Sequence, residues 1–211
     1  MRTDELVRVL ARDGARPVAP IGQAMLVAVL VGLVLSAALF ALVLHPRPDI
    51  GEAVLTPRFL FKLIVMAALA VAAGALLVDA ARPLPRFQGS WALLVAPALL
   101  LAGVVVELFI TDADTWRAHL VGHNAVHCVS LIPFFALAPA AALFFILKRG
   151  APARPAISGA VAGLVAGGIG ALFYAMSCPD DSPLFVATWY SIAIAAVTMV
   201  SSYAGSKLLR W

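Results

Sequence analysis

The chain has 211 residues, of which 63% are hydrophobic and only 12% are charged. A soluble domain of this length would carry about 25% charged residues, so the composition excludes a soluble globular protein. The formal net charge is +4, and we attribute it to membrane topology rather than to a surface that binds nucleic acid.

The segment ahead of the apolar part, residues 1–19, predicts a short cytoplasmic helix followed by a linker. The sequence TDELVRVLARD over residues 3–13 places Leu6, Val9 and Leu10 on one helical face. A helix this short is not stable alone in water, so a partner or the membrane surface must cover its apolar face. We expect these three residues to bind a cytosolic partner, with anionic lipid as the alternative.

Six apolar stretches follow, and each is long enough to span a membrane, because about 20 helical residues cross the hydrocarbon core. Helices satisfy their own backbone hydrogen bonds in lipid. The sequence therefore predicts an all-α integral membrane bundle of six transmembrane helices over residues 20–211. The predicted spans are residues 20–44, 57–80, 90–110, 128–148, 156–177 and 184–207.

The distribution of basic residues predicts the orientation. Eleven of the 15 Lys and Arg residues lie on the termini and on the two loops that share their side of the membrane. Because basic residues accumulate in cytoplasmic segments, both termini are expected in the cytoplasm. The eleven residues are Arg2, Arg8, Arg12, Arg16, Arg82, Arg86, Lys148, Arg149, Arg154, Lys207 and Arg210.

Charged and small residues within the spans predict helix contacts. Lys62 and Glu107 lie near the outer ends of the second and third spans. Two alternatives are open for Lys62: an ion pair with Glu107 inside the bundle, or extension of its side chain to the headgroup region. In the fifth span, Gly159, Gly163 and Gly167 recur every four residues and predict close helix packing. We expect that packing within the bundle in preference to a homodimer.

The two cysteines of the chain are predicted at the same outer membrane face. Three histidines spaced four residues apart, beginning at His119, precede the first cysteine, and two aspartates follow the second. Thiolate and imidazole ligands favour zinc, copper or cadmium over magnesium or calcium. The candidate ligands of a soft metal ion are Cys128, Cys178, His127, His123 and Asp180.

Other interpretations of this face stay open. A disulfide between Cys128 and Cys178 suits an oxidising compartment. Alternatively, the histidines are solvated, and the cysteines pack as small apolar residues. The aromatic residues near the same face predict an interfacial belt; they are Trp116, Tyr174, Trp189 and Tyr190.

Four features of the chain carry a resemblance to a known family: the N-terminal TDELVRVLARD, the six spans, the outer Cys128, and CPDDSPLFVATWY with a terminal LLRW. The most specific part is YAMSCPDDSPLFVATWY over residues 174–190. With these features the whole chain resembles the NrsF family, bacterial inner-membrane negative regulators of sigma factor F.

The resemblance implies a multi-pass anti-sigma factor that sequesters an extracytoplasmic-function sigma factor of the sigma F type. It also implies two outward cysteines, matched here by Cys128 and Cys178, that take part in the response to metal or oxidative stress. We expect no enzyme activity, no direct contact with nucleic acid and no required cofactor. A soft metal ion is expected only as the signal, and homo-oligomer formation is left open.

Two other functions were weighed from the sequence. A membrane thiol-disulfide oxidoreductase would need a second redox pair, and the chain has only two cysteines. A small metal transporter would need polar groups at the middle of the membrane, and the spans contain few. The sequence therefore favours the anti-sigma factor, and these two functions are kept as alternatives to it.

Overall fold

The computed structural model describes residue 5 and residues 20–82, 89–150 and 152–209. The predicted amphipathic helix over residues 3–13 lies outside the described residues apart from Glu5. The same holds for Leu6, Val9 and Leu10, so their predicted role in partner binding stays a prediction.

Six helices of the described chain are long and apolar enough to span a membrane. Each begins and ends within three residues of its predicted bounds, so the prediction of an all-α chain with six helices of spanning length is confirmed for the described residues. The helices are α1 (Ile21–Val43), α2 (Pro57–Ala80), α3 (Ser90–Ile110), α4 (Ala125–Leu147), α5 (Pro155–Ala175) and α6 (Pro183–Leu208).

Three of these helices begin at a proline, which explains the positions of their first residues. Pro57, Pro155 and Pro183 begin α2, α5 and α6. Proline suits a first helical position because its missing N–H would have no partner there. Ser182 adds a cap to α6, since its side-chain oxygen accepts a hydrogen bond from the Leu184 amide at 3.2 Å.

The fifth helix forms the centre of the bundle and packs against α1, α2, α4 and α6. Its small residues make this possible. A Cβ added to Gly163 would lie 2.7 Å from Ser201 Cβ of α6, and one added to Gly170 would lie 2.6 Å from the Ile132 carbonyl oxygen of α4. Gly168 faces α2 in the same way. The glycines are therefore used inside the bundle, as predicted.

The first helix docks on an interruption of α4. Pro139 has no N–H to donate to the carbonyl oxygen of Phe135, four residues earlier. The buried Ser36 hydroxyl of α1 donates to that oxygen instead, at 2.8 Å. One turn away, a Cβ added to Gly32 would lie 2.6 Å from Pro139 Cα. Close approach and hydrogen bond together fix α1 against α4.

Three connections meet at one end of the bundle, which we call the cysteine end: residues 44–56, 111–124 and 176–182. We call residues 176–182 the cysteine loop, because they contain Cys178. The Arg47 amide donates to the Met176 carbonyl oxygen at 3.1 Å. This bond joins the first connection to the cysteine loop. Short helices within the connections are Ile50–Ala53, Ala113–Thr115 and Trp116–Val121.

Candidate functional site

The two cysteines lie together in one buried apolar cluster at the cysteine end. Cys128 is in the first turn of α4 and Cys178 in the cysteine loop. Their side chains are 0% and 2% exposed, and both are free thiols. The backbone holds each in place: the Cys128 amide donates to the Asn124 carbonyl oxygen at 2.8 Å, and the Cys178 amide to that of Tyr174 at 3.0 Å.

The environment of Cys178 keeps its thiol protonated. Burial raises the pKa of this thiol above its ordinary value, and the nearby Lys62 ammonium lowers it by less. The thiolate, rather than the thiol, is the nucleophile and metal ligand. Burial therefore makes the Cys178 thiol a weak nucleophile and a weak metal ligand in the conformation that the structure describes.

Asp180 joins the cysteine loop to the segment ahead of α4. Its carboxylate accepts hydrogen bonds from the amides of His123 and Asn124, at 3.1 and 3.0 Å, and from the Asn124 side chain at 2.9 Å. Gly122 precedes them with φ +57°, and a Cβ there would lie 2.5 Å from the Phe185 ring. The close approach of this segment to α6 therefore requires glycine at position 122.

Asp181 joins the same loop to α2 and to the first connection. Its carboxylate lies 2.5 Å from Lys62 Nζ and 2.7 Å from an Arg47 guanidinium nitrogen. The Lys62 ammonium also donates to the Cys178 carbonyl oxygen at 3.0 Å. Lys62 is 0% exposed, so its side chain does not extend to the headgroup region. Its ion-pair partner is Asp181, whereas Glu107 pairs with Arg58 and His119. The Lys62 ammonium therefore holds the cysteine loop against α2.

Arg47 is held by two carboxylates. Besides Asp181 it contacts Asp49, at 2.7 Å through Nε and 2.6 Å through a terminal nitrogen. This bond raises the pKa of Arg47 and lowers that of Asp49. Its guanidinium also lies 5.9 Å from the centre of the Phe59 ring. The first connection therefore brings a fixed positive charge to the cysteine loop.

Ser182 joins the loop to α3 through Glu107. The Ser182 hydroxyl donates to the buried Glu107 carboxylate at 2.8 Å, and the Leu184 amide donates to it at 3.2 Å. His119 Nδ1 lies 3.1 Å from the same carboxylate, and Arg58 lies 3.5 Å from it. Glu107 thus fixes the start of α6 and the Trp116–Val121 helix.

The predicted metal ligands are only partly brought together. The His123 side chain is 95% exposed, with Nδ1 3.9 Å from Asp180 Oδ1, and His127 is also exposed. Cys128 and Cys178 share a cluster. Within the described ranges, no group of three or more His, Cys, Asp or Glu side chains is arranged to hold a metal ion.

The expected aromatic belt is wrong for two of its members. Tyr174 and Tyr190 are 3% and 0% exposed and lie in the cluster of the cysteines. The reason for Tyr190 is a π-helical turn over Val186–Tyr190, which changes the face that α6 turns to the bundle. Trp116 is 37% exposed, and the Trp189 indole donates to the Leu120 carbonyl oxygen at 2.8 Å.

Comparison with known proteins agrees with the family resemblance. The family model described as "NrsF: Negative regulator of sigma F" matches residues 10–211. The chain is 33% identical to "Anti-sigma-F factor NrsF" of Caulobacter vibrioides (strain NA1000 / CB15N), with both chains fully covered. It is 29% identical to "Probable anti-sigma-F factor NrsF" of Azospira oryzae (strain ATCC BAA-33 / DSM 13638 / PS), again over both whole chains. No solved structure matches it. The chain therefore belongs to the NrsF family of negative regulators of sigma F.

Proposed function

We propose that this protein is an anti-sigma factor of the bacterial inner membrane that sequesters an extracytoplasmic-function sigma factor of the sigma F type. It releases that sigma factor when Cys128 and Cys178 meet a thiophilic metal ion or an oxidant. Family membership supports the regulatory role, and the six apolar helices support the membrane location.

The observation that carries the sensing role is the set of contacts made by the three residues Asp180, Asp181 and Ser182. They bond to the segment ahead of α4, to α2 with the first connection, and to α3. A change at the Cys178 sulfur therefore strains contacts to most of the bundle. Coupling between two sites needs only about 1–3 kcal/mol, which is comparable to the loss of one or two such hydrogen bonds.

The chemistry of the signal follows from two buried thiols. A soft ion such as Cu(I) is selected by thiolate ligands and needs no further side chain to turn inward. Zinc usually takes four ligands, so a zinc site would need His127, His123 or Asp180 to turn toward the sulfur atoms. An oxidant that accepts two electrons and two protons would join the same two sulfur atoms in a disulfide.

The orientation follows from the charge bias. Lys and Arg accumulate on the cytoplasmic side of membrane proteins, and eleven of the 15 lie on the termini and the loops next to them. We place the cysteine end outside and both termini in the cytoplasm. The signal and the sigma factor then act at opposite ends of the bundle.

The surface for the sigma factor includes the helix predicted over residues 3–13, because the apolar face that the sequence predicts for Leu6, Val9 and Leu10 needs a cover. Replacement of Leu6 and Leu10 by Asp should release the sigma factor and switch on its genes. The content of the double variant in the membrane is the control. Full repression by a variant that remains in the membrane would show that the helix is not the contact.

The sensing proposal is tested by co-purification of the sigma factor with Cys128→Ser, Cys178→Ser and His127→Ala variants. We expect wild-type protein to release the sigma factor on treatment with a soft metal ion or an oxidant, and both cysteine variants to retain it. A normal response of His127→Ala supports the two-thiol centre, whereas its loss supports a metal shell that includes the imidazole. Release from both cysteine variants at the wild-type level would refute the proposal.

A further inference from the structure

Two cavities meet at Arg58, in the first turn of α2. One, which we call the apolar groove, has a volume of about 420 Å³ and lies between α2 and α3, against Phe61, Ala102 and Ile110. The other, which we call the polar pocket, has a volume of about 380 Å³ and is bounded by the cysteine loop. Because Arg58 lines both cavities, one molecule that extends past its side chain fits into the two together.

The apolar groove runs from the membrane boundary toward the middle of the bilayer. Ile110 is the last residue of α3, and Ala102 lies eight positions earlier in the same helix. A helix rises about 1.5 Å per residue, so the groove reaches about 12 Å into the hydrocarbon region. Its polar end is at the boundary and its apolar end is deeper, which is the direction in which a phospholipid of the surrounding leaflet lies.

The Arg58 guanidinium is placed to bind an anion. It is 45% exposed, and its contact with the buried Glu107 carboxylate is 3.5 Å long, beyond the range of about 2.7–3.2 Å for a hydrogen bond. Glu107 already accepts hydrogen bonds from the Ser182 hydroxyl and the Leu184 amide. A guanidinium carries several N–H donors and pairs well with phosphate oxygens. Arg58 is therefore suited to hold a phosphate group at the mouth of the groove.

The polar pocket places a negative charge opposite this arginine. The three hydrogen bonds that Asp180 accepts all end on its Oδ2 atom. The Oδ1 atom lies 3.9 Å from His123 Nδ1, which is too far for a hydrogen bond. The carboxylate of Asp181 is neutralised by Lys62 and Arg47. Among the described residues that line the pocket, Asp180 therefore has the carboxylate oxygen that is left for a cation.

We propose that the apolar groove and the polar pocket together bind one zwitterionic aminophospholipid from the leaflet at the cysteine end. An acyl chain lies in the groove, the phosphate accepts hydrogen bonds from Arg58, and the ammonium group of the headgroup donates to Asp180 Oδ1. A zwitterion matches a site with one cation and one carboxylate. A headgroup without an ammonium group would leave Asp180 facing a second negative charge. The inference goes beyond the proposed sensing function and does not depend on it.

The choice of lipid is tested with full-length protein that has been delipidated in detergent. Phosphatidylethanolamine, phosphatidylglycerol or diacylglycerol with the same acyl chains is added, and bound lipid is counted by native mass spectrometry. We expect one phosphatidylethanolamine per chain, bound about tenfold more tightly than either other lipid, because each of these lacks at least one hydrogen bond to a charged group. Soluble glycerophosphoethanolamine, which has the headgroup without acyl chains, should not bind at the same concentrations.

Two variants test the contacts of the headgroup. Arg58→Gln should bind phosphatidylethanolamine about tenfold more weakly. Its matched control is Arg117→Gln, which removes an exposed arginine at the same end of the bundle and should keep the wild-type affinity. Asp180→Asn keeps one oxygen for the amides of His123 and Asn124 but replaces the other oxygen by an NH₂ group. This variant should lose the preference for phosphatidylethanolamine over phosphatidylglycerol.

A further pair of variants tests the groove. Ala102→Phe adds a ring at an exposed position that lines the groove, so we expect it to block the acyl chain and abolish binding. Leu101→Phe is the matched control, because Leu101 is 65% exposed and is not among the residues that line the groove. It should bind the lipid as the wild type does.

Several results would overturn the inference. They include wild-type protein that binds phosphatidylethanolamine no more tightly than the other two lipids, wild-type affinity in Arg58→Gln, and an unchanged lipid preference in Asp180→Asn. Loss of binding in Ala102→Phe alone would show an apolar occupant without a headgroup contact. Binding of glycerophosphoethanolamine would show a site for a small soluble molecule. None of these results bears on the cysteine proposal, which is measured by release of the sigma factor.

Discussion

The Nζ atom of Lys62 lies 2.5 Å from Oδ1 of Asp181, and the lysine side chain is completely buried. The two residues are 119 positions apart in the chain. A buried ammonium is tolerated because the carboxylate neutralises it and the Cys178 carbonyl oxygen accepts a second hydrogen bond from it. The buried charge of Lys62 in α2 therefore fixes the position of the cysteine loop.

This ion pair predicts an asymmetric response to mutation. Asp181→Leu leaves the Lys62 charge buried without its carboxylate, and we expect a loss of about 3–5 kcal/mol in the free energy of unfolding. The double variant Lys62→Met/Asp181→Leu should recover most of that loss. Thermal unfolding in detergent measures both. Equal destabilisation of the single and double variants would contradict the pairing.

The contacts of Asp180 predict how well the thiols are shielded. Asp180→Ala removes three hydrogen bonds to His123 and Asn124, so the segment ahead of α4 should separate from the cysteine loop. We expect faster alkylation of the two cysteines by a small maleimide, followed by mass spectrometry. Asp114→Ala, at an exposed position of the same connection, is the control and should react at the wild-type rate. Equal rates in both variants would show that Asp180 does not close the site.

The sequence predicts the six spans because hydropathy and helix length are local properties that each stretch carries by itself. The close packing of α5 is predictable for the same reason, because Gly159 and Gly163 are four residues apart and therefore lie on one face of the helix, where they leave room for a neighbouring helix. Their use inside the bundle follows from the central position of α5, where 67% of the apolar window is buried, against 17% for α3.

The sequence does not predict the contacts of the cysteine loop. Two aspartates beside Cys178 look like metal ligands, because carboxylates near a thiol suit a cation. In the structure Asp180 accepts hydrogen bonds from the backbone and Asp181 compensates the buried Lys62. These contacts join residues more than 50 positions apart, and no periodicity of the sequence encodes them. The acidic residues of the loop did indicate a functional position in the sequence, but their role in the structure is to hold the loop in place rather than to bind a metal ion.

The packing of α5 on α6 predicts the effect of adding one methyl group. In Gly163→Ala the new Cβ would lie 2.7 Å from Ser201 Cβ and 2.9 Å from Thr198 Cα. The helices must move apart, at a cost of about 1–3 kcal/mol. Gly74→Ala in α2 is the matched control, because its Cβ would meet no described atom within 4 Å. We expect a lower unfolding temperature for Gly163→Ala alone; equal stability of the two variants would contradict the packing.

The proposed orientation is tested with cysteines at exposed positions, because burial protects Cys128 and Cys178 from impermeant reagents. A Cys128→Ala/Cys178→Ala background receives either Leu55→Cys, where the leucine is 82% exposed at the cysteine end, or Lys207→Cys at the exposed opposite end. We expect an impermeant maleimide to label Leu55→Cys in intact spheroplasts. Lys207→Cys should react only after the membrane is permeabilised, since basic residues mark the cytoplasmic side. The reverse pattern would place the thiol pair in the cytoplasm and exclude an external signal.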